Sequence, residues 1–123
     1  MLAEPIAQFR IDPLAPNSID EEGAYFNPWQ AMGFGVSAHH YSMDLQAIDV
    51  LRAIDQGLYC ADIAERLNLS PGHVELFQTM FSSACWCVFD NSPRGCLINR
   101  EHGSDFGSRL IAAWEDYYDR HWN

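Results

Sequence analysis

Between residues 43 and 84 apolar side chains recur every three or four positions in three successive runs, the period of helices with one buried face. The first run, over residues 43–56, places Leu45, Ile48, Leu51 and Ile54 on a buried stripe. Ser42 or Asp44 is its expected N-cap, and Gly57 ends it, because glycine tolerates the left-handed conformation past a helix end. The second run holds Cys60, Ile63, Ala64 and Leu67. Asn68-Leu69-Ser70-Pro71-Gly72 interrupts it, with Ser70 as the next N-cap and Pro71 in the first helical position, where its missing N–H matters least. The third run carries Val74, Phe77, Phe81 and Ala84, with Leu76 and Met80 beside them.

Past Ala84 the period shortens. Residues 85–89 and 96–98 are apolar, strand-prone runs, and Asp90-Asn91-Ser92-Pro93-Arg94-Gly95 between them predicts a hairpin turn. Trp86 and Val88 fall on one face, with Cys85, Cys87 and Phe89 on the other. One face should pack on the helices, and the other needs cover from the N-terminal arm, the last helix or a second subunit. The final element is predicted to start near Ser104, with Phe106, Leu110, Ala113, Trp114, Tyr117 and His121 as its stripe. Ile111, Tyr118 and Trp122 widen that stripe, and Asp116 is set to pair with Arg120. Residues 1–41 differ. Pro5, Pro13, Pro16 and Pro28, with Gly23, Gly33 and Gly35, predict an irregular arm with one short strand at Gln8-Phe9-Arg10-Ile11 and an acidic loop at Asp20-Glu21-Glu22.

Ala61-Asp62-Ile63-Ala64-Glu65-Arg66-Leu67, the polar turn closed by Leu69-Ser70, and Val74 four residues on resemble the helix-turn-helix superfamily over residues 57–84. A hairpin directly after the third helix is similar to the wing of a winged-helix domain. The resemblance implies a three-helix core whose third helix, Pro71 to Ser83, would face a ligand. It reaches a fold motif rather than one family, and a fold does not carry a function. The expected class is therefore α+β, mainly α: an aromatic arm over residues 1–41 packed on a winged-helix-like domain over residues 42–123, in one folding unit.

Composition narrows the function. A chain of 123 residues with 48% apolar content can bury one core without disulfides. Seventeen acids against seven arginines and no lysine give a net charge of −10, which repels polyphosphate at long range. Strong nonspecific nucleic-acid binding is thereby excluded. The N-terminal run MLAEPIAQFR lacks a basic stretch followed by a continuous apolar one, and nothing approaches the roughly 18 apolar residues of a membrane span. With four cysteines and no signal-like segment, the expectation is reduced thiols in the cytoplasm.

Chemistry-bearing residues are few. Cys85, Cys87 and Cys96 are expected close together in the hairpin, with Cys60 or His102 to complete a tetrahedral set. The paired ligand spacings of structural zinc sites are missing, so buried, reduced, metal-free thiols are expected. His39-His40 has no acidic or cysteine ligand at a zinc spacing. Glu101, His102, Ser104 and Asp105 hold the residue types of a hydrolytic triad but stand as neighbours on a loop. No Gly-rich phosphate loop, nucleophile elbow or metalloprotease spacing occurs. Neither an enzyme nor a cofactor is expected.

The leading reading is a regulatory or inhibitory protein acting through protein contacts on a helix-turn-helix-like scaffold. Its partner-binding candidates are the clustered aromatics Tyr25, Phe26 and Trp29 of the arm, and Trp114, Tyr117 and Tyr118 of the last helix. The first role expected of the arm's rings is to cover the helical core, and contact with a partner is the sharper alternative. The wide stripe of the last helix predicts a homodimer. A second reading is a dimeric transcriptional regulator, with His73, Gln78, Thr79 and Arg94 contacting DNA. A third is an acidic mimic of nucleic acid. Against DNA reading, the third helix holds Glu75 and no Arg or Lys.

Overall fold

Residues 12–34 and 41–122 are described by the computed structural model of the chain. The elements in order are β1 (Ser18–Asp20), β2 (Gly23–Tyr25), α1 (Pro28–Ala31), α2 (Tyr41–Asp55), α3 (Cys60–Leu67), α4 (Pro71–Ser83), β3 (Cys87–Phe89), β4 (Cys96–Ile98), a 3₁₀ turn (Arg100–His102) and α5 (Phe106–Trp122). The class is α+β and mainly helical, with two separate antiparallel hairpins, β1–β2 and β3–β4. Among the described residues no helix is long and apolar enough to cross a membrane.

The helix ends follow local chemistry. After α2, Gly57 adopts φ +81°; its N–H donates to Ile54 O and the N–H of Leu58 to Ala53 O, a Schellman closure. Asn68, at φ 56°, repeats that closure after α3, with the Leu69 N–H on Ala64 O at 2.9 Å. Ser70 then caps α4, its Oγ accepting the His73 N–H at 3.1 Å.

The arm is more regular than expected. Asp20 Oδ1 accepts the N–H groups of Glu22 and Gly23, so the acidic cluster forms the tight turn of the β1–β2 hairpin. Asn27 caps α1 by accepting from the N–H groups of Trp29 and Gln30, which aims Trp29 inward. The predicted strand at residues 8–11 and the His39-His40 pair lie outside the described residues. Arg120 does not pair with Asp116. It reaches across to Asp20 at 2.8 Å and Glu22 at 3.2 Å, with its guanidinium over the Tyr25 ring at 4.7 Å.

Helices α2 and α5 pack antiparallel: the start of α2 meets the end of α5 through Asp44 and Trp122, and the end of α2 meets the start of α5 at Asp55 and Gly107. At Gly107 a Cβ would meet the Asp55 carboxylate, which would have to turn aside. The buried stripe of α2 is turned from the expected one. Ala47, Val50 and Ala53 join Ile48, Leu51 and Ile54 inside, and Leu45 is 44% exposed. Asp44 does not serve as a cap exposed to water; it sits in the first turn and is fully buried.

Two further expectations are corrected near the C-terminus. Asn99 caps the 3₁₀ turn and Arg100 holds Ser104 O at 2.8 Å, so α5 begins at Phe106 rather than near Ser104. Cys85 takes a positive φ of 63°, which turns the chain before β3 begins. Trp86 therefore does not share a face with Val88: Trp86 is buried with Cys87, Cys96 and Ile98, and Val88 points outward opposite Leu97. Val88 and Phe89 stay exposed.

Candidate functional site

An aromatic cluster fills the centre, and one carboxyl group orders it. Trp114 meets Trp29, Trp86 and Phe81 at centroid distances of 5.4, 6.0 and 6.0 Å, near edge-on in each case. A buried indole N–H needs an acceptor. Asp44 Oδ1 accepts from Trp29 Nε1 at 2.7 Å and from Trp114 Nε1 at 2.9 Å, and Oδ2 accepts from Trp122 Nε1 at 2.9 Å. Three of the chain's four tryptophans thus converge on one residue.

That arrangement removes most of the expected partner-binding set from the surface. Tyr25, Phe26, Trp29, Trp114 and Tyr117 are all buried in the chain's own core, where no partner reaches them without unfolding. Burial, followed by the nearby charge of Asp44 and by Tyr25, pushes the Tyr117 phenol above its ordinary range and keeps it protonated. Tyr118 alone is half-buried at the surface. Of the wide stripe behind the expected homodimer, Phe106, Leu110, Trp114 and Tyr117 face inward within one chain, whereas Ile111 and Tyr118 are half-buried and Trp122 is 37% exposed.

The expected nucleic-acid set is divided as well. Gln78 is only 3% exposed and points at the hairpin, donating from Nε2 to Arg94 O at 3.3 Å. Gly95 beside it takes φ +77°, the left-handed conformation that favours glycine in the hairpin turn. His73 is half-buried, its ring stacked on Phe77 at 5.2 Å. Thr79 is exposed. Arg94 is exposed but folded back, its guanidinium 5.8 Å from the Tyr59 ring, while Pro93 O accepts the Cys60 N–H at 3.4 Å. The hairpin tip therefore lies on the start of α3 and the middle of α4 and does not project. What α4 offers to solvent is Pro71, Gly72, Glu75, Leu76, Thr79 and Ser83, with Leu76 50% exposed. The hairpin adds Val88 and Phe89, the latter 66% exposed. Leu76, Val88 and Phe89 were not singled out as contacts, because each stands within an apolar run of the sequence that predicts burial.

The thiols separate into two kinds. All four are free; Cys87 and Cys96 are buried, whereas Cys85 is exposed, contrary to expectation, because its positive φ turns it out of the strand. A hydrogen bond with Cys96, then burial and the Cys96 charge, push the Cys87 thiol far above its ordinary range, and Ser82 Oγ lies 3.8 Å from Cys96 Sγ. Burial, then Glu75, raises Cys60. Held protonated, Cys87 and Cys60 are poor nucleophiles and poor ligands, whereas the hydrogen bond with Cys87 lowers the Cys96 thiol. Among the described residues, no group of three or more His, Cys, Asp or Glu side chains is placed to hold a metal ion. The residues of the would-be triad turn to other partners: His102 Nε2 lies 2.9 Å from Cys85 O, and Asp105 pairs with Arg109.

No family model matches the chain, and neither a curated protein nor a solved structure does.

Proposed function

We propose that the chain is a non-enzymatic regulatory or inhibitory protein of the cytoplasm that works through protein contacts. In this reading α2, α3, α4 and the β3–β4 hairpin form a winged-helix-like scaffold, and the outward side of α4 with the hairpin is its contact face. The observation that carries it is the exchange of positions on α4. Gln78, the residue best suited to read a base, is buried against the hairpin backbone, and Leu76 stands in solvent. Exposed aliphatic and aromatic side chains on a face whose one cation, Arg94, is folded back over the Tyr59 ring suit a protein surface better than a phosphate backbone. Residues 57–99 hold Arg66 and Arg94 against Asp62, Glu65, Glu75 and Asp90, two cations to four acids, a sum of −2. Four free cysteines fit a reducing compartment.

Affinity capture from the native host tests this reading, with wild-type and Leu76→Asp proteins as paired baits. Position 76 is exposed, so the variant retains its fold, which circular dichroism verifies. The reading expects a protein partner held by the wild type and lost by the variant. Equal capture by both baits, or capture by neither, counts against it.

A further inference from the structure

The one indole that Asp44 does not hold lies beside a pocket. Trp86 is 1% exposed and meets Phe26, Phe81 and Trp114 at centroid distances of 6.0, 6.3 and 6.0 Å. The other three indoles donate to Asp44. The Trp86 Nε1–H has no acceptor among the described residues, although a buried N–H calls for one. Trp86 is also one wall of an open pocket of about 260 Å³. Residues 12–17 form a second wall, and Ala31 of α1 and Ala84 at the end of α4 complete it.

The polar side chains of the walls do not supply the missing acceptor. Asn17 is committed at both ends of its amide: Oδ1 accepts the Asn27 N–H at 2.6 Å, and Nδ2 donates to Asn27 O at 3.1 Å. Asp12 is exposed and turned to its own loop, where Oδ1 accepts the Leu14 N–H at 3.0 Å. The rest of the lining, Pro13, Ala15, Pro16, Ala31 and Ala84, is apolar. Apolar walls around one convergent donor orient a small ligand by a single polar contact. Size and charge then select that ligand. A cavity of about 150 Å³ holds a benzene ring, so this one admits about ten non-hydrogen atoms. The Asp12 carboxylate and a net charge of −10 disfavour an anion. We propose that the pocket binds a small neutral molecule with an apolar ring or branch and one carbonyl group. The carbonyl oxygen accepts from Trp86 Nε1–H, and the apolar part lies between Pro13, Pro16, Ala31 and Ala84. This site is independent of the contact face on α4 and the hairpin.

The test uses the full chain, isotope-labelled, and two probes. Acetanilide has the required size, a ring and one carbonyl; N-ethylaniline keeps the skeleton and lacks the carbonyl oxygen. Before any probe is added, the Trp86 indole proton should exchange with deuterium faster than those of Trp29 and Trp114, which Asp44 holds. Acetanilide should move the Trp86 indole N–H resonance downfield and saturate with a Kd of about 1 mM or below. Amide shifts should fall within residues 12–17 and at Ala31 and Ala84, and leave the hairpin turn at residues 90–95 unmoved. N-ethylaniline should bind about tenfold more weakly, and so should acetanilide to Trp86→Phe, which keeps an aromatic ring and loses the donor. Trp86→Phe disturbs a buried position, so Ala31→Leu serves as a second variant. It fills the pocket from α1, leaves the indole in place and should abolish binding. Equal binding of the two probes would remove the carbonyl contact and overturn the proposal. Shifts confined to other regions, unchanged binding by Ala31→Leu, or no binding of acetanilide would overturn it as well. So would a Trp86 indole proton as protected as that of Trp29 in the free chain, since the acceptor would then be the chain's own.

Discussion

Around Asp44 the aromatic residues lie inside the molecule, whereas on α4 and the β3–β4 hairpin three large apolar side chains lie outside and a glutamine lies within. Each region buries one polar side chain, Asp44 or Gln78, against what residue type alone announces, and for one physical reason. A buried polar group must be hydrogen-bonded, so the position of its partner decides which side chains enter the core. Asp44 gives three indole N–H groups an acceptor and draws Trp29, Trp114 and Trp122 together. Arg94 O gives the Gln78 amide a partner and draws it under the hairpin. The aromatic region thereby becomes structure, and the α4–hairpin region keeps Leu76, Val88 and Phe89 free for contact.

The comparison is broken most strongly at Asp44. Asp44→Ala leaves two fully buried indoles, Trp29 and Trp114, without an acceptor, and about 3–5 kcal/mol of stability should be lost. Asp44→Asn keeps one acceptor oxygen and turns a donor towards another indole, so a smaller loss, centred on the partly exposed Trp122, is expected. Denaturant midpoints give the magnitudes, and the indole N–H resonances report which contact is gone. A loss under about 1 kcal/mol for Asp44→Ala would mean that ring packing alone places the cluster.

Gln78→Ala is the milder counterpart on the other side. One side-chain hydrogen bond to a backbone carbonyl is removed, worth about 1 kcal/mol. The effect should be local. Amide exchange at Asp90 and Gly95, whose N–H groups close the hairpin turn, should speed up while α2 and α5 keep their protection. Global loss of protection would show that the two regions are not separable.

The smallest effect lies at the β1–β2 hairpin, which Arg120 fastens to α5. Burial pushes the Asp20 carboxyl up, but the Arg120 hydrogen bond, the Glu22 and Gly23 N–H groups and the Arg120 charge outweigh it. The net result lies below the ordinary carboxyl value. The folded pKa is thus lower than the unfolded one. The contribution is fully present above about pH 4 and is lost as pH falls through the folded value. Acid titration followed at the Gly23 amide should loosen this hairpin while Gln78 and Arg94 stay in place. Simultaneous change in both regions would contradict the division between them.

Helices α2, α3 and α4 and the β3–β4 hairpin were legible because their signals are local: apolar period, Ser70, Pro71 and the left-handed residue Gly57. The α+β, mainly helical class and the order of elements from α2 to β4 followed from these. The β1–β2 hairpin was missed because one Asp side chain, accepting two backbone N–H groups, sets it against a background of prolines. Asp44 was invisible for a different reason. Its partners stand 15, 70 and 78 residues away, and a lone acid early in a helix reads as a cap. Gln78 was misplaced because a helical wheel gives the angle of a side chain but not what covers that side, and the hairpin tip folds back over it. Leu45 was misplaced in the opposite sense, since α5 packs against a neighbouring strip of α2.

Binding to mixed-sequence duplex DNA, followed by fluorescence anisotropy at a salt concentration of about 0.15 M, where the Debye length is about 8 Å, tests the central claim most directly. Counterion release by cations supplies nearly all nonspecific affinity, and the exposed side of α4 has none to offer. With Gln78 turned inward, base readout is lost too. The account predicts no measurable binding at this salt, and steep loss on salt addition of whatever binding low salt allows. Micromolar or tighter binding at about 0.15 M salt would contradict it and make α4 and the hairpin a nucleic-acid surface.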